Sequence, residues 1–108
     1  RKPLILRGAR QVGKTTVVNE LGRSFDNYLY FNLDDENTRN VFEFNMPLTD
    51  KIRMLFATRQ QVRRDGSTLL FIDEIQNSPK TISLLRYFYE EHPELHVIAA
   101  GSLLVGRE

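Results

Sequence analysis

The chain has no cysteine. Disulfides and thiolate metal sites are thereby excluded, and redox compartment cannot be read from it. No apolar run approaches the roughly 20 residues that a bilayer-spanning helix needs. No secretory leader pattern opens the chain. Charge of neither sign dominates: 15 Lys and Arg against 14 Asp and Glu leave a net +1. That balance gives no electrostatic footprint for nucleic acid or an anionic membrane. Repeats and low-complexity tracts are absent. The two histidines, His92 and His96, lack metal-ligand spacing to other candidates and read as a helix-end and a strand residue.

What remains is a 108-residue chain, 41% hydrophobic and 27% charged, which is the balance of one soluble globular domain with a modest core. Its apolar patterning alternates. Pro3 to Arg7, Tyr28 to Phe31, Thr68 to Ile72 and Leu95 to Ala100 read as strands. The first has no polar alternation in its centre and the third reads as apolar throughout, as buried parallel strands do. Helices are expected over Gly13 to Phe25, with Val17, Val18, Leu21 and Phe25 at helical spacing. A short one is expected around Val41, Phe42 and Phe44. Another starts at Thr49 or Asp50, buries Ile52, Leu55, Phe56 and Val62, carries Arg63-Arg64 in its last turn and stops at Gly66. Ser78-Pro79 opens a fourth by N-cap and proline, with Ile82, Leu85 and Phe88-Tyr89 facing the sheet. Strands alternating with helices predict an α/β fold, a parallel sheet with helices on both faces.

Residues 8–15, Gly8-Ala9-Arg10-Gln11-Val12-Gly13-Lys14-Thr15, match G-x-x-x-x-G-K-T between the first strand and the first helix. In that setting backbone N–H groups and the helix dipole make a polyphosphate site. Lys14 is expected to reach the β- and γ-phosphates, and Thr15 to offer its hydroxyl to Mg²⁺. Thr16 is placed for the α-phosphate. Gly8 and Gly13 suit sharp bends and close approach to phosphate. Arg10 could touch phosphate, although solvent is the preferred reading. Against all this stands a plain glycine turn with a surface lysine.

Leu69-Leu70-Phe71-Ile72 then delivers Asp73 and Glu74 to the carboxyl end of a strand, the edge where ligands bind in open α/β sheets. Asp73 is the candidate for holding Mg²⁺, and Glu74 for polarising the attacking water. Two acids that merely end a strand are the bland alternative. Ser102, leaving the fourth strand in Ala99-Ala100-Gly101-Ser102, either contacts the γ-phosphate or its neighbouring water, or belongs to a Gly-Ser turn.

Together these segments resemble the AAA-type ATPases, within the P-loop class that carries a glutamate after the Walker-B aspartate. Arg7 through Thr16, Phe71-Ile72-Asp73-Glu74-Ile75-Gln76 and Ala99-Ala100-Gly101-Ser102-Leu103-Leu104 are similar to the bacterial and archaeal ATP-binding proteins with an AAA-like N-terminal domain. In that group an uncharacterised C-terminal domain usually follows. The resemblance implies a cytoplasmic prokaryotic protein and a three-layer P-loop NTPase fold with strand order 5-1-4-3-2. It implies ATP and Mg²⁺ as ligands and Ser102 in the sensor-1 position. Residues 1–108 would be the N-terminal part of that domain, with no second domain. The missing initiator Met and the early end suit a fragment of a longer protein. A fifth strand, a lid, sensor 2 and a convincing arginine finger are not found; Arg107 lies too close to Ser102 in the chain to be a good candidate.

The expected activity is ATP binding and hydrolysis within the larger protein, weak in the fragment itself. A non-catalytic nucleotide switch controlling an attached domain is the alternative. A small kinase would need a lid and an acceptor pocket, and a GTPase an Asn-Lys-x-Asp motif; neither is present. By the implied order the missing strand would lie beside Leu4-Ile5-Leu6, leaving an apolar sheet edge. That edge is expected to be covered by another copy of the chain or by further residues. An analytical ultracentrifugation result of a monomer, together with amide exchange showing an ordered but uncovered first strand, would refute this.

Overall fold

A computed structural model describes residues 4–7 and 12–101, with side chains from residue 16 onward. Four parallel strands form one sheet in the order β1-β4-β3-β2: β1 (Leu4–Arg7), β2 (Asn27–Asn32), β3 (Thr68–Asp73) and β4 (Leu95–Gly101). This is the expected order without its fifth member. The helices are α1 (Val12–Gly22), α2 (Glu36–Glu43), α3 (Leu48–Thr58) and α4 (Pro79–Glu91), with a 3₁₀ turn at Ile75–Asn77.

Handedness explains the layers. The step from β1 to β2 crosses the sheet one way, and the steps from β2 to β3 to β4 return the other way. Right-handed crossovers running in opposite directions place their helices on opposite faces. The buried residues divide accordingly. Leu29, Phe31, Leu70, Ile72, Val97 and Ala99 pack with Phe42, Leu55, Leu85 and Phe88 of α2, α3 and α4. Leu69, Phe71, Ile98 and Ala100 pack with Val18 of α1, flanked by Phe25, Tyr28 and Tyr30. β3 is buried at all six positions, whereas β2 alternates between buried and half-buried. That alternation marks an edge strand, with one side of its pleat less covered.

The helix starts largely follow their caps. Ser78 caps α4, its Oγ accepting from the Thr81 N–H at 3.2 Å, with Pro79 in the first turn. Asp35 caps α2 by accepting from the Thr38 N–H at 2.9 Å. α3 differs from expectation at both ends. It begins at Leu48 after Pro47, with no side-chain cap from Thr49 or Asp50. It ends at Thr58, eight residues before Gly66, in a Schellman arrangement: Gln61 N–H bonds to Phe56 O at 3.0 Å and Gln60 N–H to Ala57 O at 2.9 Å. Gln60 takes the left-handed φ of 55° that a glycine usually supplies. Arg63-Arg64 therefore lie beyond the helix, and Val62 is 89% exposed rather than core. On α1, which stops at Gly22 and not Phe25, Val17 and Leu21 are likewise exposed; Ile82 on α4 sits at the surface margin.

The early end of α3 has a use. The released segment closes the outer edge of β2. Arg59 donates to Tyr30 O at 3.1 and 2.9 Å, Gln61 to Tyr28 O at 3.3 Å, and Asn27 exchanges bonds of 2.8 Å with the Arg64 backbone. Arg59 also lies 4.4 Å over the Phe31 ring. An edge whose carbonyls are occupied is a poor template for strand addition. On the far side, β1 pairs with β4, and no other strand borders β1 among the described residues. Buried Lys51 joins α3 to the end of α2, donating to Phe42 O and, at 2.8 Å, to Phe44 O.

α1 is seated on β2 by Tyr28. Its hydroxyl donates to Asn19 Oδ1 at 2.5 Å, and its ring lies so close to Gly22 that a Cβ there would stand 2.7 Å from Tyr28 Cγ. Gly22→Ala should therefore cost about 1–3 kcal/mol through overpacking. Urea unfolding should show this loss, and should show it shrink when Tyr28 is also reduced to Ala. Burial first, then the nearby Tyr30 and Asp73, push the Tyr28 phenol from 10.0 up to about 12. A raised folded-state value favours the protonated fold. That stability is intact below about pH 10 and is lost as pH rises towards about 12. Urea midpoints across this range should fall more steeply for the parent than for Tyr28→Phe.

Candidate active site

Because all four strands are parallel, their carboxyl ends share one edge. Register sets what meets there: Arg7 pairs with Gly101, Ile72 with Ala99, and Asn32 with Asp73. α1 begins at Val12, a short connection after β1 ends at Arg7. That connection, Gly8 to Gln11, lies outside the described residues, as does Ser102. Val12, Gly13, Lys14 and Thr15 form the first turn of α1, and their side chains also lie outside the description; Thr16 is exposed on the same helix. The part of the proposed site that the structure does describe is therefore its acidic half.

Asp73 closes β3 and Glu74 follows it, 6% and 3% exposed respectively. The strand's two-residue period decides where Asp73 belongs. Phe71, two residues earlier, packs on the α1 side, so Asp73 stands on the face that α1 covers. The chain then leaves the sheet sharply. Glu74 adopts the left-handed conformation, φ 53° and ψ 46°, which is uncommon for a non-glycine residue and occurs at functional turns.

Two buried acids in succession need partners. Asp73 Oδ1 accepts from the Glu74 N–H at 2.9 Å, and Oδ2 from the Tyr30 hydroxyl at 3.2 Å. Asn32 Nδ2 donates in turn to the Tyr30 oxygen at 3.4 Å. Gln76 Nε2 donates to Glu74 Oε1 at 2.8 Å, while Gln76 Oε1 is buried with no hydrogen-bond partner among the described residues. Burial, followed by the negative charge of Asp73, holds the Tyr30 phenol above its usual value, so it acts as a donor.

Tyr30 and Asn32 were not among the residues that motif reading singles out, and Gln76 entered only as the last residue of the Phe71-to-Gln76 segment, without a role. Alternation alone puts Tyr28, Tyr30 and Asn32 on one face of β2. Only the pairing of Asn32 with Asp73 tells which residue that face meets. His92 caps the end of α4 with its N–H on Phe88 O at 2.9 Å and its Nδ1 3.2 Å from Glu94 Oε2; His96 lies in β4 against Phe25. Both are as expected and neither belongs to the site.

Among the described residues no group of three or more His, Asp or Glu is placed to cage a metal ion. A lone buried aspartate still suits Mg²⁺, which takes one or two carboxylates and completes its shell with phosphate oxygens and water. The donor set thus fits a metal that arrives with a nucleotide. No helix of the described residues is long and apolar enough to cross a membrane.

No curated protein matches the chain. The sequence profile of the AAA domain does match, over residues 1–106. That span takes in the glycine-rich residues 8–15, the buried acids and the β1-β4-β3-β2 sheet, and so the chain belongs to the AAA domain family of nucleotide-binding P-loop ATPase modules.

Proposed function

We propose that this chain binds Mg-ATP at the carboxyl edge of its sheet and hydrolyses it, as the AAA module of a larger cytoplasmic prokaryotic protein. The observation that carries this is the buried Asp73–Glu74 pair at the carboxyl end of β3, with Asp73 on the face that α1 covers. In this reading the backbone N–H groups from Gly8 to Thr16 cradle the phosphates, and Lys14 pairs with the β- and γ-phosphates. Thr15 and Asp73 hold the metal, Asp73 through water. The metal, when bound, neutralises charge developing on the transferred phosphoryl group. Glu74 orients and deprotonates the attacking water, and Ser102 contacts the γ-phosphate or that water. Self-association through the outer edge of β1 fits the same reading.

A second reading is a switch in which binding alone sets the state of an attached domain. One observation favours it: Glu74 is held by Gln76 and is 3% exposed, so it must be released before it can meet a water.

Two variants of the intact protein separate these. Lys14→Ala should weaken ATP binding by about 10–100-fold, the worth of hydrogen bonds to a charged group at about 1.5–3 kcal/mol. Glu74→Gln should keep ATP affinity within about twofold and lower turnover by about 10²–10⁴-fold. Calorimetric binding and phosphate release measure the two effects. Undiminished turnover in Glu74→Gln would remove that residue from the chemistry. Tight binding with no turnover in the parent would favour the switch.

A further inference from the structure

We infer that Tyr30 is a positioning residue for Asp73: its hydroxyl aims the carboxylate at the divalent cation that accompanies the nucleotide. This rests on the reading of Asp73 as the carboxylate on the metal side. Asp73 has one donor on each oxygen. The bond from the Glu74 N–H is local, made by the next residue in the chain. The bond from Tyr30 crosses to another strand, and it exists only because β2 pairs with β3 so that Tyr30 stands beside Phe71 and Asn32 beside Asp73. With both oxygens anchored, the carboxylate is hindered from rotating, yet each oxygen keeps a second lone pair for a hydrated cation.

Tyr30 is itself well held. Its ring packs on Phe71 with centroids 5.2 Å apart, and Asn32 Nδ2 donates to its oxygen. The donor from Asn32 occupies the phenol oxygen and leaves the phenol proton for Asp73. The arrangement is the hydrogen-bonded outer layer that orients a metal-binding group, and losing such a partner commonly costs 10–100-fold in metal affinity. A tyrosine that served only to pack β2 against β3 would have no need of this hydroxyl.

Tyr30→Phe keeps the ring and removes only the hydroxyl. The test uses Mn²⁺ as the probe, followed by electron paramagnetic resonance on the intact protein with a non-hydrolysable ATP analogue, alongside metal-free analogue affinity and thermal unfolding. Tyr30→Phe should weaken Mn²⁺ binding about tenfold, leave the metal-free affinity unchanged and unfold near the parent's temperature. Asp73→Asn is the control for the underlying reading. If Asp73→Asn loses Mn²⁺ and Tyr30→Phe does not, the positioning role is overturned and the metal role of Asp73 stands. If neither variant changes Mn²⁺ affinity, the metal role falls and takes the positioning role with it. A Tyr30→Phe protein that loses metal-free and metal-bound affinity equally also overturns the inference, since the hydroxyl would then be supporting the fold.

Discussion

The in-register pairing of β2 with β3 is the constraint on which the rest depends. β3 is buried on both faces, so each of its side chains has a fixed layer: Leu70 and Ile72 towards α2, α3 and α4, Leu69 and Phe71 towards α1. A slip of one residue would exchange the two sets and carry Asp73 to the wrong face. Pairing Asn32 with Asp73 also brings Tyr30 within reach of the carboxylate. Packing in the middle of the strand thus decides which side chains meet at its end.

That end is costly to build. Two adjacent acids are almost wholly buried, Glu74 holds a left-handed backbone, and the side-chain oxygen of Gln76 lacks a partner among the described residues. An unsatisfied buried polar atom alone is worth about 1–3 kcal/mol. The Phe31, Phe42, Phe71 and Phe88 side chains, all fully buried behind the edge, supply the apolar packing that tolerates such a site. These features sit where the chain turns away from the end of β3, and not in the mid-sheet.

Among the described residues the two edges of the sheet differ. β2 is sealed by side chains and backbone from the segment after α3, whose bonds to its carbonyls occupy the place where a further strand would pair. This is also where sequence patterning misled. Val62 continues the helical spacing of Ile52, Leu55 and Phe56, and Gly66 looks like the natural stop. The helix instead ends eight residues earlier, at Thr58, and closes on Gln60, a residue whose type gives no signal for a left-handed turn. Tertiary capture of Arg59 by Tyr30 O and the Phe31 ring outweighs one further turn of helix.

The sequence by itself determined the alternation of strands and helices, Ser78 as the cap of α4, the glycine-rich spacing of residues 8–15 and the acids at the end of β3. Each is encoded by neighbours in the chain: a period of two or of 3.6, a cap beside its helix, or a motif of fixed spacing. Tertiary structure alone decided that Tyr30 and Asn32 attend Asp73, that Gln76 turns its amide onto Glu74, and that Arg59 and Gln61 guard β2. The strand-to-strand contacts join residues up to 43 positions apart, so no local rule reaches them. The bond from Gln76 to Glu74 spans only two residues, but it depends on a backbone turn that no residue type there announces.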